Sequence, residues 1–256
     1  MPSKRVSFEN GSGIRLAGII DWPDESPREF AVFSHCFTCT KDLKAIVRIS
    51  RGLARRGIAV LRFDFTGLGE SGGNFSDTNF DSNILDLRSA VDFLASGHRA
   101  PSLFIGHSLG GAAMMRSITE FDSVAALVTI ASPSSTHHLA DYLSRTNPDI
   151  EGAGQGEVTI GGRTYTLKKQ LIENLRAHNL EESIARIHVP HMIIHPPEDD
   201  TLPYWHAEKL FELTGGVKSM LTLDGSDHLL VDQPVDVEYV ATMIDTWFSR
   251  QKELAG

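Results

Sequence analysis

The pentapeptide Gly106-His107-Ser108-Leu109-Gly110 has the residue types and spacing of a nucleophile-bearing turn. It follows the apolar run at 102–105 and precedes a small-residue stretch, 111–118, that reads as helical. A serine between a strand and a helix requires a very tight turn, and neighbouring glycines remove the side chains that would collide there. Such a turn lifts the Ser108 hydroxyl above a sheet. It also aims the Leu109 N–H, at a helix N-terminus, toward a developing oxyanion. A serine hydroxyl alone is a poor nucleophile, so a base and an acid to orient that base should accompany it.

Both occur downstream, in the order serine, acid, histidine. The run VPHMIIH at 189–195 reads as a strand and is followed by the carboxylate-rich loop PPEDDTLP. The run SMLTLDG at 219–225 is followed by Ser226-Asp227-His228, which puts a histidine in the next strand-to-helix loop. His228 is therefore the expected base. Glu198, Asp199 and Asp200 compete for the acid's place, and Asp199 is preferred because it stands four residues after His195 and four before Pro203. The other histidines, among them His137, His138, His178, His188, His191 and His206, show no metal-ligand spacing, so neither a metal nor an organic cofactor is expected.

A second oxyanion donor should come from the loop after the strand AVFSH at 31–35. This loop is similar to the His-Gly-Phe or His-Gly-Gly loop of many esterases, with Cys36 in place of the glycine, and the resemblance implies the Phe37 N–H, two residues after His35. Cys36 and Cys39 also form a C-x-x-C between a strand and a helix, the context of a thiol-redox site. The competing reading is two small residues packed at the floor of a hydrolase site. In the stretch 62–71, RFDFTGLGES, Asp64 ends a strand, and the glycines and Ser71 read as loop geometry, outside the catalytic set.

The elements that would hold these residues follow a rhythm. A hairpin opens the chain, from Val6 to Phe8 and Ile14 to Ile20 around Asn10-Gly11-Ser12-Gly13. Short apolar runs at 31–35, 58–64, 102–107 and 125–131 then alternate with helical spacing at 42–56 and 80–96, implying a mostly parallel sheet covered on both faces. Ligands of such sheets bind beyond the carboxyl ends of the strands. Between about 134 and 187 the rhythm breaks into a small hairpin turning at Gly161-Gly162 and a polar helical stretch. This reads as a cap insertion over the sheet edge within a single domain of 1–256. The strand pattern then resumes, and a last helix is expected at about 234–252.

The 256 residues carry a formal net charge of −9, which argues against a nucleic-acid partner. No run of ~18 apolar residues predicts a transmembrane helix. The N-terminal residues lack the apolar core of a secretory signal. With two cysteines three apart, a disulfide framework is not expected, and a cytoplasmic location is.

With these residues in place, the chain resembles the α/β-hydrolase-fold serine esterases over essentially its whole length. More narrowly, it resembles the hydrolase half of bacterial proteins that join such a domain to an OsmC-type domain. The residues that carry this are SHCFTCTKDLKAIVRISRGLA, RFDFTGLGES, GHSLGGAA, EVTIGGRTY and LDGSDHLL. With the sequence ending at Gly256, no OsmC domain or peroxide chemistry is expected. The resemblance implies a hydrolase of carboxylic esters of small to medium acyl chain, acting on a small-molecule substrate with no membrane partner. A thioesterase, amidase or carbon–carbon hydrolase would use the same triad. Outside that class stand a ligand-binding receptor that keeps hydrolase geometry and a C-x-x-C thiol-redox protein.

Overall fold

The structure, a computed structural model, describes residues 2–231 and 234–255. Its centre is an eight-stranded sheet in the order β1-β2-β4-β3-β5-β6-β9-β10. Strands β1 (Ser3–Glu9) and β2 (Arg15–Asp21) form the expected antiparallel hairpin, and β2 pairs antiparallel with β4 (Ile58–Phe63). From β4 onward, β3 (Glu29–Ser34), β5 (Leu103–His107), β6 (Ala126–Ile130), β9 (His191–His195) and β10 (Lys218–Thr222) run parallel.

Side chains alternate across a strand, so a strand buried on both faces feeds two cores. Ala31, Phe33, Val60, Ile105 and Val128 face one way, against α1 (Lys44–Ala54) and α9 (Pro234–Ala255). Val32, Leu61, Phe104 and Leu127 face the other way, against α2 (Phe80–Gly97), α3 (Leu109–Ser117) and α8 (Trp205–Leu213). In α2 the four positions expected inward, Ile84, Leu87, Val91 and Leu94, are all buried. Its N-cap Asn79 and Ser82 form a reciprocal capping box.

The chain leaves β3 toward β4 on one side and leaves β5 toward β6 on the other. Connections that diverge from adjacent strands open a crevice at their carboxyl ends, and this switch point lies between Ser34 and His107.

Residues 137–185 lie between β6 and β9. They form α4 (His137–Thr146), α5 (Asp149–Gly152), the hairpin β7 (Gln155–Ile160) and β8 (Arg163–Lys168), α6 (Lys169–Ala177) and α7 (Leu180–Ala185). Gly161 and Gly162, at φ 57° and 77°, supply the two left-handed residues of a type I′ hairpin turn. The single polar helical stretch expected here is two helices, because Asn179 turns its side chain to cap the Glu182 N–H and starts a new one. The segment rests on the carboxyl edge of the sheet. Asn174 and His178 bond Asp81 at the start of α2, and the Tyr165 hydroxyl donates to the Thr38 carbonyl at 3.3 Å.

Candidate active site

Strand β5 ends at His107, and α3 begins at Leu109. Ser108 between them is held at φ 52°, a left-handed conformation unfavourable for a residue with a Cβ. Close packing enforces it. A Cβ on Gly106 would stand 2.4 Å from the Gly111 Cα, and one on Gly110 would stand 2.5 Å from the His35 carbonyl oxygen. The Ser108 N–H is taken by the Ile130 carbonyl at 2.9 Å, which ties the turn to β6. What remains free to act is the half-buried hydroxyl.

His228 Nε2 lies 3.2 Å from Ser108 Oγ, and His228 Nδ1 lies 2.6 Å from Asp199 Oδ2. Nδ1 therefore carries the proton given to the carboxylate, and Nε2 presents its lone pair to the serine hydroxyl. The other oxygen of Asp199, Oδ1, accepts the N–H groups of Thr201 and Leu202 at 2.9 and 2.8 Å. Burial alone pushes this carboxyl up; the bond to His228 and the two N–H groups outweigh it and hold it below the ordinary carboxylate value. Of its two rivals, Glu198 is exposed and accepts from the Gly225 N–H, while Asp200 is exposed and accepts from the Thr201 hydroxyl. Neither is the partner of His228.

The loop 35–41 runs beside the nucleophile turn. Ser34 Oγ donates to the Gly110 carbonyl at 2.9 Å, which sets the start of this loop against the first turn of α3. His35 is buried. Its Nε2 accepts from the Phe65 N–H and its Nδ1 donates to the Cys36 carbonyl at 2.8 Å, so the ring is a neutral strut, with burial lowering its pKa. Among the described residues, no protein acceptor engages the N–H of Phe37 or that of Leu109. Cys36 and Cys39 are joined as a disulfide. The cysteines are thus a bonded pair, although two cysteines three apart gave no expectation of a disulfide framework.

Asp64 is fully buried and accepts from Lys41 N, Lys41 Nζ and Glu70 N at 2.7, 2.8 and 2.9 Å. It closes the far end of the same loop and has no contact with Ser108 or His228 among these bonds.

One neighbour of Ser108 and His228 escaped the sequence reading. His107 Nε2 donates to the His228 carbonyl at 2.8 Å, and the two rings lie 5.1 Å apart. The signal was present, since His107 adjoins Ser108 in the pentapeptide. Side chains next to each other in a strand point to opposite faces, however, and nothing local says what the histidine meets.

An open, mostly parallel sheet with serine, carboxylate and histidine on the carboxyl-end loops after β5, β9 and β10 defines a hydrolase class. The profile of the Alpha/beta hydrolase family matches residues 31–238, and the chain belongs to that family. The esterase domain of a Rhodothermus marinus protein is 40% identical, with a TM-score of 0.79 over 98% of this chain and 99% of that one. Human mitochondrial palmitoyl-protein thioesterase ABHD10 is 28% identical over 158 residues, 59% of this chain and 50% of its own length. The chain spans about half the length of that protein and of its orangutan counterpart. Est1E from Butyrivibrio proteoclasticus, with ferulic acid bound, is 21% identical, with a TM-score of 0.84 over 97% of this chain and 99% of that one, and shares the fold. Nothing in these relatives supports the narrower likeness to OsmC fusion proteins.

Proposed function

We propose that this chain is a serine esterase that cleaves carboxylic esters of small to medium acyl chain through an acyl-enzyme on Ser108. The observation that carries the reading is the continuous line Ser108 Oγ, His228 Nε2, His228 Nδ1, Asp199 Oδ2, with links of 3.2 and 2.6 Å. His228 takes the hydroxyl proton as Ser108 Oγ attacks the ester carbonyl, and Asp199 stabilises the resulting imidazolium. The N–H groups of Leu109 and Phe37 receive the oxyanion. His228 then gives its proton to the departing alcohol. Water, activated by the same imidazole, releases the acid and restores the hydroxyl.

The chain acts as one domain in this reading, and residues 134–187 form its cap. Thr136 Oγ1 donates to the Leu175 carbonyl at 2.6 Å and Tyr165 bonds the Thr38 carbonyl, so the cap is tied both to itself and to the rim of the site. A cap this close to the oxyanion loop limits acyl length. The thioesterase relative favours a second reading in which the same triad cleaves an acyl thioester; a thiolate would then leave without needing the proton from His228.

Hydrolysis of p-nitrophenyl esters from acetate to decanoate, by wild type and by Ser108→Ala, tests the proposal. Turnover that peaks at short or medium chains and collapses in the variant supports it. Equal turnover by both proteins removes Ser108 as nucleophile. Preference for acyl-thioester substrates over matched oxygen esters selects the second reading.

A further inference from the structure

The loop between β3 and α1 carries a covalent ring that the triad does not explain. Cys36 and Cys39 are disulfide-bonded with their Cα atoms 5.2 Å apart, and the Cys39 N–H closes the same turn on the Cys36 carbonyl at 3.1 Å. Phe37 and Thr38 are the two residues inside it. Thr38 sits at φ 61°, a conformation strained for a β-branched residue that persists only when its surroundings hold it. The ring supplies that hold from within. From without, His35 Nδ1 grips the Cys36 carbonyl and the Tyr165 hydroxyl grips the Thr38 carbonyl. The Phe37 ring leans on Phe75 at 5.6 Å, and Phe75 on Tyr165 at 5.2 Å.

The direction of the Phe37 N–H depends on the backbone angles on either side of the Cys36–Phe37 peptide, which the ring restricts. We propose that Cys36 and Cys39 are positioning residues whose disulfide holds the Phe37 N–H toward the oxyanion, so that reducing the bond lowers the rate of acyl transfer; this rests on the serine-esterase reading above. Reduction by a small dithiol balances in two exchanges. A reagent thiolate attacks the sulfur of Cys39, which is half-buried where Cys36 is buried, and Cys36 leaves as a thiolate. The reagent's second thiolate then attacks its own sulfur in the mixed disulfide, Cys39 departs, and the reagent becomes a cyclic disulfide. The protein gains two electrons and, on protonation, two thiols.

Because the chain has two cysteines and both lie in this ring, a reductant that acts on protein disulfides can act nowhere else. The test compares the full chain as purified under air, after dithiothreitol, and after reoxidation with oxidised glutathione, beside a Cys36→Ser/Cys39→Ser double variant. Thiol titration in denaturant should find none before reduction and two after it. On p-nitrophenyl acetate, reduction should lower kcat by about 10- to 100-fold, approaching the loss of one oxyanion donor, with KM within about twofold. Reoxidation should restore the rate, and the double variant should be slow and indifferent to the reductant. Two free thiols in the air-purified protein, or an unchanged kcat once both thiols titrate, overturns the proposal. Should the oxidised protein cleave no ester at all, the esterase reading fails by itself. Amide hydrogen exchange at Phe37 and Thr38 then decides the clamp: faster exchange on reduction supports it, and unchanged exchange removes it.

Discussion

His107 and His228 are joined side chain to backbone: the imidazole that precedes Ser108 donates to the His228 carbonyl at 2.8 Å. The turn carrying Ser108 and the loop carrying His228 thereby share a fixed separation. Replacing His107 by Leu should keep the volume and lose the tether. A displacement of the base by about 1 Å can cost about 100-fold. We expect kcat to fall by ~10- to 100-fold with KM little changed, and His107→Gln, whose amide nitrogen can reach the same carbonyl, to recover most of it. Equal rates for the Leu variant and wild type would show that the loop holds itself.

The choice of acid is equally open to measurement. Asp199→Asn should lower kcat by about 10⁴-fold, because an amide no longer favours the required tautomer or the imidazolium. Asp200→Asn, at an exposed side chain bonded only to the Thr201 hydroxyl among the described contacts, should leave kcat near wild type. Reversed outcomes would move the acid by one residue.

Acid should unfold this protein early. Burial above all pushes His107, His191 and His206 each down to about 3 from an ordinary 6.5. His191 shows why the neutral form is kept: the Thr214 hydroxyl donates to the Leu210 carbonyl, so it accepts from His191 Nδ1, and His191 Nε2 accepts from Thr129. Between about 6.5 and 3 the unfolded chain holds more protons than the folded one, so stability rises with pH and is lost on acidification. The lowered carboxyl of Asp199 adds a loss further down, as pH falls through its folded value. Thermal melts should show a Tm lower at pH 5 than at pH 7 by at least ~5 °C at this chain size. A flat Tm over that range would contradict the buried neutral rings.

Lys41 and Asp64 test the support of the loop 35–41. Both are fully buried, and Lys41 Nζ is 2.8 Å from Asp64 and 2.7 Å from Glu70. Lys41→Met leaves the Asp64 carboxylate buried without its cation, which should cost about 3–5 kcal/mol in denaturant unfolding. A double change, Lys41→Met with Asp64→Leu, should cost less than the sum of the single changes, and additive losses would show that the pair is not coupled.

Residue order alone carried the local features: the parallel-sheet rhythm, the strand–turn–helix around Ser108, the glycine pair of the hairpin, and His228 on the loop after β10. Each depends on backbone sterics or hydrophobic period, which act between near neighbours in the chain. Three further decisions were tertiary. Asp199 stands apart from Glu198 and Asp200 because the Thr201 and Leu202 N–H groups turn one carboxylate inward to meet a loop 29 residues on. The bond between Cys36 and Cys39 depends on a loop conformation pinned by His35 and, from 127 residues away, by Tyr165. His107 became a tether because packing brought the His228 carbonyl to its ring. Partners like these are chosen by distance in space, and sequence spacing has no term for it.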